Sequence, residues 1–255
     1  MRRLVYTILL CVVCVAAEAQ DYYVLNVKGN VTISGRSGKL KPNDKLKVDD
    51  RLVFSSKTDA VAVVSTKAGR FIISPSPQEK DGELTAYVKD AITPGTKKLS
   101  TRSGLFNNAL DFANYFKDTV LILPVMKYAT SFKQDDKNFF FIRYNYNGEE
   151  ISKKLDTSGD TLILIRSELY SVDKKPVEPS KVSEMRLLRF ENSGIHLFAK
   201  MYVESPEPYE LSEGVKTLRQ LYPQSEVREE TLNYLDELYG KIDELNFNNW
   251  YQGLN

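Results

Sequence analysis

Between Tyr22 and Ile73 apolar residues alternate with polar ones, and turn residues interrupt the alternation at short intervals. Val27, Val31 and Ile33 flank Gly29-Asn30, and Val61, Val63, Phe71 and Ile73 flank Ala68-Gly69. A side-chain period of two, punctuated by glycine, is the pattern of short antiparallel strands with one face buried. No stretch here carries the helical period. The expected fold of this part is a compact β-sandwich or small barrel.

Inside it the chain says nearly the same thing twice, Pro42-Asn43-Asp44-Lys45-Leu46 and then Val48-Asp49-Asp50-Arg51-Leu52. Together with Gly29-Asn30-Val31 before it, and Ala60-Val61-Ala62-Val63 and Gly69-Arg70-Phe71 after it, this run resembles the FecR-type periplasmic β-domain. That family reads loosely G-x-V, then L-x-x-G-D-x-L-x-x-G-D-x-L, then a strand and a polar glycine turn. The resemblance covers about a quarter of the chain and implies sensing or relay through periplasmic contacts. Where the family has glycine this chain has Asn43 and Asp49, the residue types that next best tolerate a positive φ. Pro42 fixes φ ahead of Asn43, as a type II turn prefers. Asp44 and Asp50 are then expected to cap the two turns by accepting backbone N–H bonds. Calcium binding by Asp44, Asp49 and Asp50 is the competing reading, and their spacing does not follow the D-x-D-x-D-G arrangement.

The chain starts with Arg2-Arg3, an apolar run over residues 4–17, and Ala17-Glu18-Ala19. This has the layout of a secretory signal peptide, with cleavage expected after Ala19. The run is about fourteen residues, short of the roughly twenty that span a bilayer. Cys11 follows Leu10 and Cys14 follows Val13, so neither has the small preceding residue that lipoprotein acylation requires. Both cysteines fall in the segment expected to be removed, which leaves about 235 residues without a disulfide in a compartment that permits them. The expected location is the periplasm or outside the cell, and no transmembrane segment is expected after signal cleavage. Asn30-Val31-Thr32 is a glycosylation sequon that only a eukaryotic secretory host would use.

A net charge of +1 conceals an asymmetry. Residues 21–104 hold 15 Lys+Arg against 9 Asp+Glu, or +6; residues 105–203 hold 14 against 13; residues 204–255 hold 4 against 11, or −7. The basic front and the acidic tail are expected to contact each other or separate partners. No basic stripe interleaved with stacking aromatics is present, which argues against nucleic acid.

Residues 20–104 are assigned to the FecR-like β domain with a loop excursion over 74–104 that holds one strand at 84–88. Residues 105–255 are assigned to an α+β domain in which an antiparallel sheet packs with acidic C-terminal helices. Phe106, Ala109, Leu110, Ala113 and Phe116 recur at three and four, a short amphipathic helix. Strand signals follow at 120–125, 138–151 and 161–172, the second folded about Asn147-Gly148, a strong hairpin signal. A hairpin over 185–203 turns at Asn192-Ser193-Gly194 and places Ile195, Leu197, Ala199, Met201 and Val203 on one face, with His196, Phe198, Lys200 and Tyr202 opposite. Helices are expected at 212–221 and from Glu226 to about Leu245, with Ser225 as N-cap and Glu226, Glu229 and Glu230 set against the helix dipole.

Catalytic signals are sparse. His196 is the only histidine, so a Ser-His-Asp site would have to recruit it, and zinc lacks ligands. No cofactor motif is present. Glu149-Glu150 and Asp135-Asp136 are the acid pairs that a carboxylate-dependent wall or glycan hydrolase could use, the alternative to the expected non-catalytic binding, sensor or scaffold role in a bacterial envelope. The partner would be an envelope protein or glycan. Phe139-Phe140-Phe141-Ile142-Arg143-Tyr144-Asn145-Tyr146 crowds aromatics onto both faces of one strand. Phe140 and Ile142 are expected to face the core, with Phe139 and Phe141 under the helices. Arg143, Tyr144 and Tyr146 are the candidate binding residues of an exposed platform.

Overall fold

The computed structural model describes residues 21–75, 104–192 and 194–254. The leader, both cysteines and the strand expected at 84–88 lie outside the described residues.

Six strands build the first module: β1 (Tyr22–Lys28), β2 (Val31–Ile33), β3 (Lys45–Leu46), β4 (Leu52–Phe54), β5 (Ala60–Ser65) and β6 (Gly69–Ile73). An antiparallel sheet runs β3-β1-β5-β6, and β2 pairs with β4 beside it. Tyr22, Val24, Val61, Val63, Phe71 and Ile73 of the sheet meet Val31, Ile33, Leu40, Leu46 and Leu52 in a core of their own. Leu46 and Leu52 are the leucines that close the two repeated turns. In the first turn Asn43 adopts φ 71°, and the Asp44 carboxylate accepts from the Lys41 N–H at 2.8 Å. In the second the Asp50 carboxylate accepts from the Lys47 N–H at 2.8 Å and is gripped by Arg36 at 2.8 and 3.0 Å. Asp49 keeps an ordinary negative φ, so this turn needs no stand-in for glycine, contrary to the expectation. Asp50 supplies its closure instead.

Strand β5 is buried along its whole length because both of its faces are covered. Val61 and Val63 enter the first core, while Ala60, Ala62 and Val64 enter a second, larger one. Alanines on that second face leave room for helices.

The rest of the chain contributes α1 (Ala109–Phe116), β7 (Val120–Leu121), β8 (Val125–Ala129), β9 (Phe139–Tyr146), β10 (Glu149–Lys154), β11 (Asp156–Ser158), β12 (Thr161–Ile165), α2 (Arg166–Leu169), β13 (Ser171–Val172) and β14 (Lys175–Pro176). β15 (Val182–Glu191), β16 (Gly194–Lys200), β17 (Val203–Glu204), α3 (Pro208–Leu221), α4 (Gln224–Tyr239) and α5 (Glu244–Gln252) complete it. One antiparallel sheet runs β10-β9-β15-β16 and a second runs β11-β12-β8. Helix α1 starts in a capping box, Asn108 accepting from the Asp111 N–H at 3.0 Å and Asp111 accepting from the Asn108 N–H at 3.2 Å. It lays Phe112 against Phe106, Phe140 and Phe198.

The C-terminal helices pack on a sheet, and much of that sheet belongs to the first module. Helix α3 lies on β1 and α4 on β5 and β6, so Leu211, Val215, Leu218, Leu235 and Leu238 share one core with Leu25, Ala62 and Val64. Arg70 of β6 meets Glu230 at 3.0 Å and Glu237 at 2.5 Å on α4. Asn26 of β1, fully buried, accepts from the Tyr239 hydroxyl at 2.6 Å and donates to the Glu210 carbonyl at 3.3 Å. The basic front and the acidic tail thus meet within one molecule.

Helix α3 starts at Pro208, ahead of the expected 212, and both ends of α4 depart from the sequence pattern. Helix α4 stops at Tyr239 because Gly240, at φ 98°, takes the chain past the Thr119 carbonyl. Lys241 then donates to Thr119 O at 2.8 Å and accepts from the Leu121 N–H at 3.0 Å. The apolar stripe survives this break through Ile242, whereas Leu245 falls on the exposed side of α5. Ser225 is inside α4, whose N-cap is Pro223. In β16 a register shift opposite Leu187 and Leu188 puts the adjacent Phe198 and Ala199 both in the core and leaves Ile195 and Leu197 exposed. A strict alternation had grouped Ala199 with Ile195 and Leu197.

Candidate functional site

A cleft of about 920 Å³ opens where the two modules meet. One wall is the turn after β1 and the segment leading into the first repeated turn, with Lys28, Gly29, Lys39, Leu40 and Lys41. The other is built by the start of β15, the stretch around β17 and the start of α3, with Glu178, Glu184, Tyr202, Glu204, Glu207, Tyr209 and Glu210. The site therefore exists only because the acidic tail folds back on the basic front.

Arg166 fixes the acidic lip. Its Nε donates to Ser205 Oγ at 2.9 Å, and its Nη2 donates to Ser205 O at 3.1 Å and to Glu207 Oε1 at 2.9 Å. The guanidinium also lies 5.6 Å from the centre of the Tyr170 ring, and burial pushes the Tyr170 hydroxyl pKa up. Sequence reasoning passed over Arg166; the available signal was a lone cation directly ending the apolar run 161–165.

Each glutamate on this wall has a partner. Glu204 pairs with Lys28 at 2.8 Å across the cleft, Glu207 with Arg166 and Glu178 with Lys181 at 3.4 Å. Glu184, at φ 53° inside the irregularity where β15 loses register with β9, accepts through Oε2 from Asn145 Nδ2 at 2.6 Å. Glu210 accepts from the Tyr209 hydroxyl at 3.2 Å, and its charge raises that hydroxyl's pKa. By contrast Lys39 and Lys41 make no ion pair among the described residues. Tyr202 and Tyr209 are 57% and 59% exposed. The uncommitted groups of the cleft are thus two ammonium groups and two aromatic rings.

The candidate binding residues of β9 do not come together. Tyr144 is fully buried, its hydroxyl donating to Leu169 O at 2.8 Å and its pKa pushed up to about 12 by burial. It cannot meet a ligand without unfolding. Tyr146 shares its side of the strand and packs on the same core, whereas Arg143 points to the other face, paired with Glu150 at 3.2 Å and 5.2 Å from the Phe141 ring centre. Phe140 and Ile142 are in the core. Phe139 and Phe141, expected under the helices, carry cations instead: Lys154 stands 4.7 Å from the Phe139 centre and Arg143 covers Phe141.

The acids singled out for chemistry are elsewhere. Glu150 binds both Arg143 and Arg186 on the outer face of the sheet. Asp135 closes a tight turn, held well below the usual carboxylate range at about 2 by Lys133, the Lys137 N–H and Asn138. His196 is exposed on β16 and lines no part of the cleft. Asp44, Asp49 and Asp50 form no metal-binding group, and among the described residues no set of three or more His, Cys, Asp or Glu side chains could hold a metal ion. No described helix is long and apolar enough to cross a membrane.

Comparison of the chain with protein-family models, with curated proteins and with solved structures returns no match.

Proposed function

We propose that the protein is a non-catalytic binding or sensor module of a bacterial cell envelope, and that it takes its ligand in the cleft between the two modules. The observation that carries this reading is the pairing pattern in the cleft. All five glutamates are engaged by a partner, while among the described residues Lys39 and Lys41 make no ion pair and the rings of Tyr202 and Tyr209 are exposed. With each of these carboxylates held by a neighbour, the wall is suited to shaping a site. Two cations that make no ion pair among the described residues, opposite exposed aromatic rings, suit a ligand that carries an anionic group beside an apolar or ring face.

The envelope location rests on the leader pattern, and the sensing role on the resemblance of the repeated turns to the FecR-type β-domain. A pull-down from bacterial envelope extracts tests the reading. The wild-type chain is expected to recover a protein or glycan that a K39E/K41E variant does not. Recovery of nothing, or equal recovery by the two, would sink it.

A further inference from the structure

Among the described residues strand β16 is the outer edge of the sheet β10-β9-β15-β16, and its neighbours make one face of that sheet unusual. Opposed residues run in rows across the strands. Phe139, Phe190 and Ile195 form one, and Phe141, Leu188 and Leu197 the next. Phe139 and Phe190 stack with centres 5.3 Å apart. Phe141 and Leu188 are buried yet belong to neither hydrophobic core, so these rows are an apolar layer outside both. They end at the edge in Ile195 and Leu197, 51% and 52% exposed. An edge strand keeps a line of backbone donors and acceptors available to another chain, and native edges that bind nothing are usually blunted by charge or proline.

The adjoining row is cationic. Ser152, Arg143, Arg186 and Lys200 are successive partners across the four strands. Both arginines share the single carboxylate of Glu150, at 3.2 and 2.9 Å, and Lys200 makes no ion pair among the described residues. The edge therefore offers main-chain hydrogen bonds, two apolar contacts and, at one end, positive charge that no carboxylate among the described residues balances.

We propose that β16 is a docking edge for an extended acidic segment of another protein, which adds to the sheet as a fifth strand. Main-chain bonds supply affinity, and alternate side chains supply selectivity. The segment presents apolar residues toward Ile195 and Leu197 and a carboxylate toward Lys200. Charge favours such a partner over a second copy of this chain, whose own β16 would bring another Lys200 and no acid.

The test uses the full chain and two short synthetic peptides alternating valine and threonine, one ended by glutamate and the other by lysine. Binding is followed by backbone amide NMR. The glutamate peptide is expected to shift the amides of β16 and to bind about tenfold more tightly than its lysine twin. Leu197→Lys and Ile195→Lys, both at exposed positions, are each expected to abolish binding while the circular dichroism is unchanged; K39E/K41E in the cleft is expected to leave it intact. Equal affinity for the two peptides, binding that survives Leu197→Lys, or no binding of either peptide would overturn the proposal. Sedimentation showing a dimer that Leu197→Lys dissolves would overturn it in favour of self-pairing.

Discussion

Gly214 of α3 lies against the carbonyl of Leu25 in β1, so close that a Cβ at position 214 would stand 2.6 Å from the carbonyl oxygen and 2.5 Å from the Tyr234 hydroxyl. Helix and strand come from opposite ends of the chain, and this contact seats the acidic tail on the basic front. In an isolated helix Gly214→Ala would be stabilising by about 1 kcal/mol. Here the backbone oxygen cannot yield, so the helix must lift from the sheet, and the variant is expected to lose about 1–3 kcal/mol. Urea denaturation reads the sign directly. A gain in stability would show that α3 does not approach β1 this closely.

Arg70 joins the same two parts by charge. Its side chain is mostly buried and serves two carboxylates, Glu230 and Glu237. Those contacts raise its pKa against the opposing effect of burial, so it stays charged. Removing the arginine leaves two partly buried acids of α4 without this shared cation. A double-mutant cycle between Arg70→Ala and Glu237→Ala is expected to give a coupling energy of about 1–3 kcal/mol, well above the value for an exposed pair. Arg70→Lys is expected to recover only part of it, because one ammonium group lacks the fork that reaches both acids. A coupling energy near zero would mean that this ion pair does not help to hold the modules together.

How much of this was legible in the sequence follows from which interactions are local. The two repeated turns were, since Asp44 and Asp50 bind backbone groups only three residues away. Strand periodicity was, since each residue's face is set by its neighbours. Burial of Tyr144 was not, because Arg143-Tyr144-Asn145-Tyr146 is equally consistent with either face pointing inward. Contacts distant in sequence decide it: Phe112 of α1 packs on Phe140, and the Tyr144 hydroxyl reaches Leu169 O. The end of α4 was hidden for a similar reason. Gly240 is a weak signal inside an apolar stripe that continues through Ile242, and the break depends on Thr119, far away in sequence. The cleft was the least legible feature, since its two walls are separated by most of the chain.

Buried tyrosines make stability depend on alkaline pH. Burial raises the Tyr144 pKa to about 12 and those of Tyr128 and Tyr239 well above the ordinary value of 10.0. The folded state therefore holds protons that the unfolded chain releases, and their contribution is complete below pH 10 and lost as pH rises toward the folded values. Stability should be flat on this account up to about pH 10 and fall beyond it. Phenolate absorbance and circular dichroism followed together provide the check. The buried set is expected to ionise in one step with unfolding. Ionisation of the whole set in one step near pH 10, with the fold intact, would contradict the burial.

The two turns of the first module should answer differently to the same substitution. Asn43 is at φ 71° and its N–H donates to Val24 O at 2.8 Å, so a residue without tolerance for the left-handed region is strained there. Asn43→Ala is expected to cost about 1 kcal/mol, and Asn43→Gly to be neutral within about 0.5 kcal/mol, because glycine reaches that region freely but gains entropy in the unfolded chain. Asp49 has an ordinary backbone, so Asp49→Gly is expected to destabilise by roughly 0.5–1 kcal/mol through the unfolded state, and Asp49→Ala to change little. The discriminating quantity is the order of the alanine and glycine variants at each site, read from thermal or urea midpoints. If glycine proved better than alanine at both positions, the second turn would be left-handed as well, and the Asp50 bond to Lys47 would not be what closes it.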